Sequence, residues 1–238
     1  VYCVLPHINS ILALRTSELK RAKRAFNARG SKVIRCDICL LPVNACICAD
    51  KPEPQASCAV LFIMYKGEYY KPTNTGRLIA DVVAENYAFV WHRTEPDADL
   101  LTLLSNPKYQ PIIIFPHEYA EPARCIPKPE DKLDKIPLFI FLDGTWREAR
   151  KMFGKSPYLD KFPVLGVSPE ISSNYLLRES TREFQHCTAE VGINVLDLAG
   201  EVEAATALAK YFSIFRHQYL KGKPHLSHKI EFAKAQVK

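Results

Sequence analysis

The sequence predicts an α/β protein: a mostly parallel sheet with helices on both faces, preceded by a small basic helix and a cysteine knuckle. Three observations predict it. Continuously apolar, β-rich runs recur at CAVLFIM (58–64), YAFVW (87–91), PIIIF (111–115), PLFIFL (137–142) and PVLGV (163–167). Segments of helical period separate them, GRLIADVVAE, PDADLLTLLS and TWREARKMF, and two more follow around REFQHCTAEVGINVLDLA and EVEAATALAKYFSIFRHQYL. Strands without polar alternation are buried on both sides, and helices between them supply the two covers such a sheet needs. The third observation is the crowding of positive charge and cysteine before residue 55.

Taken in chain order, the opening VYCVLPHINSILALR is broken by Pro6, His7 and Asn9 and lacks a basic start, so it reads poorly as a signal peptide. No apolar run approaches the ~20 residues a membrane span needs, so no membrane partner is expected. Residues 15 to 35 hold eight basic side chains against one acid, Glu18, which makes that window +7 in a chain of net charge +6. The rest of the chain is close to neutral. A local basic block on a neutral body suits a polyanion, nucleic acid first, although a merely solvated helix face has the same composition. Leu19, Ala22 and Phe26 give one apolar stripe, and Gly30 follows as a stop, so the spacing predicts a basic helix from Ser17 to Arg29.

Four of the eight cysteines lie close together, Cys36, Cys39, Cys46 and Cys48, in the spacing Cys-x2-Cys-x6-Cys-x-Cys. A disulfide scaffold would spread pairs through a small secreted chain. Four clustered thiols in a chain of this size read as a reduced, cytoplasmic, structural Zn2+ site with all ligand positions filled. The Pro-rich ADKPEPQAS then reads as a linker. The boundary falls near residue 55, with an N-terminal helix-and-zinc module (1–55) and a larger body (56–238).

The run FIFLDGTWREARKMF (139–153) poses the functional question. Thr145 and Glu148 fit a capping box, and Gly144 a sharp strand-to-helix turn. Trp146, Ala149 and Phe153 share a helix face. Asp143 has no capping duty, yet it stands at the carboxyl end of a buried strand, where ligands of open α/β sheets bind. It is either an anchor for its neighbouring loop or an acid-base group facing a ligand. Other strand ends carry polar residues too: YKGEYYKPTNTGRL, Pro116-His117-Glu118, Tyr175 and Arg178 in SSNYLLR, and Thr188 and Glu190 in HCTAEV. His117 reads as a loop hydrogen-bonder. No Gly-x-Gly-x-x-Gly, Walker loop, Gly-x-Ser-x-Gly or His-Glu-x-x-His is present, which disfavours ordinary nucleotide folds, serine hydrolases and zincins.

Taken together, RCDICLLPVNACIC, KPTNTGRLIADV, FLDGTWREARKMFGKSPYL, SSNYLLR and CTAEV resemble the DTW-domain family, whose namesake residues are Asp143, Thr145 and Trp146. The resemblance runs from about Ala13 to Lys223. It implies a SPOUT-like fold with a trefoil knot. It also implies transfer of the 3-amino-3-carboxypropyl group of S-adenosylmethionine to N3 of a variable-loop uridine of tRNA (position 47), releasing 5′-methylthioadenosine. On that reading Asp143, Thr145 and Trp146 are catalytic, with Asp143 the base and Trp146 against the uracil or the co-substrate. Phe115, Pro116, Leu142, Asp143, Leu176, Leu177, Arg178, Thr188 and Arg77 bind S-adenosylmethionine, Arg77 and Arg178 through its carboxylate. Lys20, Arg21, Lys23, Arg24, Arg29 and Arg35 grip tRNA. A monomer is the working expectation. Two alternatives share these features: a SPOUT-type RNA methyltransferase and a non-catalytic zinc RNA-binding protein.

Overall fold

The computed structural model describes residues 7–22, 33–129, 134–166 and 187–221. Six helices and six strands stand among them: α1 (Ser10–Arg21), β1 (Ala56–Met64), α2 (Gly76–Val82), β2 (Val83–Val90), α3 (Ala98–Ser105), β3 (Tyr109–Ile114), β4 (Cys125–Ile126), β5 (Ile136–Asp143), α4 (Trp146–Gly154), β6 (Val164–Leu165), α5 (Thr188–Leu198) and α6 (Val202–Lys221). The strands form one sheet in the order β2-β1-β5-β3-β6-β4, every pair parallel. This is the α/β architecture that the apolar runs predict.

The two-residue period of the strands divides the core. Val60, Phe62 and Met64 of β1 and Phe139 and Phe141 of β5 pack on one side with α2, α5, α6 and Ile11 of α1. Ala59, Leu61 and Ile63, with Leu138 and Ile140, pack on the other side with Leu100 and Leu104 of α3 and Met152 of α4. Each fully buried side chain of this size contributes about 1.5–3 kcal/mol, and that two-sided burial is why the runs carry no polar alternation. Cys39, Leu41 and Ile47 of the knuckle belong to the first of these cores, so the cysteine segment is bonded into the sheet's cover.

Several boundaries differ from the sequence reading. The helix expected over Ser17–Arg29 starts at Ser10 and, among the described residues, ends at Arg21: Asn9 caps it by accepting from the Leu12 N–H at 3.2 Å, the chain turns extended at Ala22 (ψ 121°), and residues 23–29 lie outside the described residues. Asn9, read as an interruption, is a start signal. The predicted helix through Glu85 stops at Val82, and β2 begins at once at Val83, because Val82 and Val83 are β-branched and Ala56 pairs with Val83. The run 163–167 yields only Val164–Leu165, and Cys125–Ile126 adds an outer strand too short for any period to announce. Among the described residues no helix is long and apolar enough to cross a membrane.

Topology selects one place for a ligand. From β1 the chain passes through α2 to β2 on one side, and from β5 through α4 to β6 on the other. Since α2 and α4 pack in opposite cores, the neighbouring strands β1 and β5 are where the connections part, and crevices open at such switch points beyond the carboxyl ends. Met64 pairs with Asp143, so both strands end level there.

Candidate functional site

Asp143 is the last residue of β5, 4% exposed, and its side chain falls on the α2/α5 side of the sheet. Oδ2 accepts from Asn74 Nδ2 at 2.6 Å and Oδ1 from the Thr188 hydroxyl at 3.1 Å. The loop before α2 and the first turn of α5 thus meet on one carboxylate. They are tied to each other as well, the Ala189 N–H donating to the Thr75 hydroxyl at 3.1 Å. A Cβ on Gly76 would stand 3.0 Å from Asp143 Oδ2, so only glycine lets α2 begin this close. Burial pushes the Asp143 carboxyl up to about 6, helped by Glu68 and opposed by the bonds from Asn74 and Thr188 and by Lys71. A carboxyl poised there exchanges protons at neutral pH, as a general base must. Asp143 thus anchors its neighbouring loop, and a carboxyl held there is also chemically suited to acid-base work.

The turn after it folds as its sequence dictates. Glu148 Oε2 accepts from both the N–H and the hydroxyl of Thr145 at 2.7 Å, closing the capping box of α4. Burial works against the Glu148 charge, but the Thr145 bonds outweigh it and hold the carboxyl below its ordinary range. The Thr145 hydroxyl is therefore engaged by its own helix.

Trp146 remains 39% exposed at the first position of α4. Its ring stacks on Phe115, with centroids 5.5 Å apart and planes at 10°, and Phe115 stacks in turn on Phe153 at 4.4 Å. Tyr119 meets Trp146 edge-on at 5.5 Å, and the Arg150 guanidinium lies 5.0 Å from the Tyr119 ring centroid. The result is a braced aromatic shelf with one open edge and a cation beside it, suited to a flat heteroaromatic ring. Pro116 and half-buried Leu142 adjoin it, at the ends of β3 and β5. His117 binds locally, as its loop setting suggested: the Gly166 N–H donates to Nε2 at 2.8 Å, joining the ends of β3 and β6.

The cysteines form the second feature. The sulfurs of Cys36, Cys39, Cys46 and Cys48 lie within 4.8 Å of one another, with Cys36–Cys48 at 3.5 Å and Cys39–Cys46 at 3.7 Å, and all four are free thiols. Tetrahedral zinc with Zn–S near 2.3 Å requires sulfurs about 3.8 Å apart, so the donor set fits that ion. Despite burial, backbone N–H groups of Ile38 and Cys39 point at the Cys36 sulfur and hold its thiol at about 7, whereas burial pushes the Cys39 thiol up against the N–H groups of Leu41 and Ile47. Leu40 takes a left-handed φ of 55° at the knuckle turn, closed by Leu40 N–H to Cys36 O and Cys36 N–H to Leu41 O, both 2.9 Å.

The remaining residues divide. Lys20 and Arg21 are exposed at the end of α1, Arg21 pairing with Glu18 at 3.2 Å, and Arg35 braces the knuckle through Leu40 O at 3.2 Å. Arg77 is fully buried, with its guanidinium 4.8 Å from the Phe215 ring centroid, turned toward α6 and away from the shelf. Lys23, Arg24, Arg29, Tyr175, Leu176, Leu177 and Arg178 lie outside the described residues. Asn74, Tyr119 and Arg150 were not singled out from sequence. Asn74 stands in the loop KPTNTG, whose register to Asp143 depends on a contact 69 residues away. Tyr119 and Arg150 read as ordinary surface residues until the fold joins them.

Comparison with known proteins agrees with this layout. The DTW domain matches residues 33–220. A curated relative, tRNA-uridine aminocarboxypropyltransferase 2 of Drosophila melanogaster, is 23% identical over 171 residues, 68% of this chain, and the match spans 65% of that relative's length. No solved structure matches the chain. With most of its length, from the cysteine knuckle through the Asp143 corner to α6, inside that match, the chain belongs to the DTW domain family.

Proposed function

We propose that the chain is a tRNA-uridine aminocarboxypropyltransferase. It carries the 3-amino-3-carboxypropyl group of S-adenosylmethionine to N3 of a variable-loop uridine of tRNA (position 47), in the cytoplasm, where thiols stay reduced. The observation that carries this reading is Asp143, a buried carboxyl near neutrality at the sheet's switch point, reached by Asn74 and Thr188. The name of the Drosophila relative supports it, and so does the shelf of Trp146 and Tyr119.

The chemistry needs little more. The N3 lone pair attacks the terminal methylene of the aminocarboxypropyl arm, the carbon–sulfur bond breaks, and its electron pair stays on sulfur to leave neutral 5′-methylthioadenosine. The N3 proton passes to Asp143. The sulfonium is already a good leaving group, so the protein's tasks are to take that proton and to aim one of three carbons on sulfur at the base. Asn74 and Thr188 fix both carboxylate oxygens. Trp146 and Tyr119 hold a ring flat. Backbone around Phe115, Pro116 and Leu142, with Thr188, and with Leu176, Leu177 and Arg178 as the family resemblance implies, binds the co-substrate.

The cysteines hold zinc structurally. Residues 1–55 form a helix-and-zinc module serving the 56–238 body, and Lys20, Arg21, Lys23, Arg24, Arg29 and Arg35 meet tRNA phosphates. Neutralising Lys20, Arg21, Lys23 and Arg24 together is expected to weaken tRNA binding and flatten its salt dependence, by up to ~0.9 in log–log slope per lost phosphate contact. Affinity for S-adenosylmethionine should not change. Filter binding across a salt series checks this, and an unaltered slope rules that surface out.

Mass spectrometry of nucleosides from tRNA incubated with the protein and S-adenosylmethionine tests the reaction itself. Aminocarboxypropyluridine with methylthioadenosine is expected. S-adenosylhomocysteine in its place would mark a methyltransferase, and neither product a binding protein.

A further inference from the structure

The most anomalous buried group lies away from the reacting corner. Arg77 is 1% exposed, and none of its three guanidinium nitrogens has a hydrogen-bond partner among the described residues. The Phe215 ring packs at 4.8 Å. The carboxylate one turn along α2, Asp81, is already engaged by Lys51 at 2.8 Å and by Asn9 at 2.9 Å. A guanidinium is always charged and carries five donors, so burying it without an acceptor is costly unless a countercharge stands close by.

Burial works against the Arg77 charge most, and Tyr211, Asp81 and then Cys39 and Cys48 lie near enough to favour it when ionised; the Asp81–Lys51 pair places the segment after Cys48 against α2. Tyr211, Cys39 and Phe215 sit in the same core as α2, and Cys48 packs against it. Two of these four neighbours therefore belong to the tetracysteine cluster. As thiols they are neutral. Around zinc they are thiolates, and four thiolates on a divalent ion leave a net charge of −2, partly buried. Such a centre is favoured by positive charge in its surroundings, and Arg77 is a buried positive charge with no hydrogen-bond partner among the described residues.

We infer that Arg77 is the internal counter-cation of the tetracysteine zinc centre. This assigns it a positioning role, independent of the transfer reaction, and gives the zinc-loaded protein a charge balance that the zinc-free protein lacks. The role has a structural consequence. The backbone N–H of Arg77 bonds to Asn74 Oδ1 at 3.4 Å, Asn74 Nδ2 donates to Asp143, and the Asn9 amide donates to the Arg77 carbonyl at 2.8 Å. One residue thus joins the metal centre, α1 and the loop that holds the Asp143 carboxylate.

The test needs no enzymatic assay. Zinc affinity of the full chain is measured by competition with a chromophoric chelator, and urea unfolding is followed for zinc-loaded and zinc-free protein, in wild type, Arg77→Met and Arg77→Lys. Partners beyond a metal's own ligands typically change its affinity 10–100-fold, so Arg77→Met is expected to bind zinc about ten- to a hundredfold more weakly, with Arg77→Lys close to wild type. Zinc-free Arg77→Met should be at least as stable as zinc-free wild type, because an unpaired buried charge has been removed. Wild-type zinc affinity in Arg77→Met, or equal destabilisation with and without zinc, would overturn the inference, since ordinary packing predicts the latter. Should Arg77→Met not fold, Arg77→Gln against Arg77→Lys carries the same comparison: the inference requires Lys to hold zinc more tightly, and equal affinity overturns it.

Discussion

Asp143→Asn is expected to slow aminocarboxypropyl transfer by about 10²–10⁴ and to remove the loss of stability that the buried carboxyl causes as pH rises. The rate loss follows from removing the proton acceptor at the ring, at the usual magnitude for general base catalysis. Stability moves the other way for a separate reason. In the unfolded chain an aspartate titrates near 4, whereas burial holds Asp143 at about 6. Between those values the folded state binds the extra proton, so stability falls as pH rises through that window, and the cost is complete above pH 6. Asparagine never ionises and escapes that cost. The difference of about two pKa units sets a ceiling of about 3 kcal/mol, reduced by whatever the Asn74 and Thr188 bonds lose. Urea unfolding at pH 5 and pH 7.5 checks it. The stability of Asp143→Asn relative to wild type should be higher at pH 7.5 than at pH 5, and the opposite order would contradict the account.

Cys39→Ser is expected to destabilise the fold strongly. Cys39 is 1% exposed and belongs to the same core as Leu41, Ile47 and Ile11. Losing one thiolate opens the tetrahedral site, and the binding free energy of a structural zinc is folding free energy. A loss of about 3–5 kcal/mol is expected, with zinc content falling to near zero. Strong chelators should reproduce the loss in the wild type and add nothing to the variant. Cys58→Ala is the control: Cys58 is also buried, within β1, but stands outside the cluster, so its cost should be independent of zinc.

How much of this was legible beforehand depends on the range over which each signal acts. The apolar runs marked β1, β3 and β5 within two residues, because burial on both faces writes itself into every position of a strand. The tetracysteine site was legible for a similar reason, since ligand spacing is local. The capping box at Thr145 and Glu148 was readable too, being a contact three residues long. What failed was read across breaks in periodicity. Asn9 looked like a polar interruption and proved to be a cap, so α1 was placed seven residues too late. Asn74 and Thr188 reach Asp143 across 69 and 45 residues, and no local pattern encodes such pairings. The shelf required Phe115, Tyr119, Trp146 and Arg150 to converge from the ends of two strands.

The central proposal is that Asp143 takes the N3 proton of the uracil. The pH dependence of single-turnover transfer, in wild type and in the residual activity of Asp143→Asn, tests it most directly. The account predicts that the wild-type rate rises with pH and levels off above an apparent pKa of about 6, as the carboxyl ionises. That acid limb should vanish in Asp143→Asn. An identical limb in both proteins, or a wild-type rate indifferent to pH through that range, would contradict it.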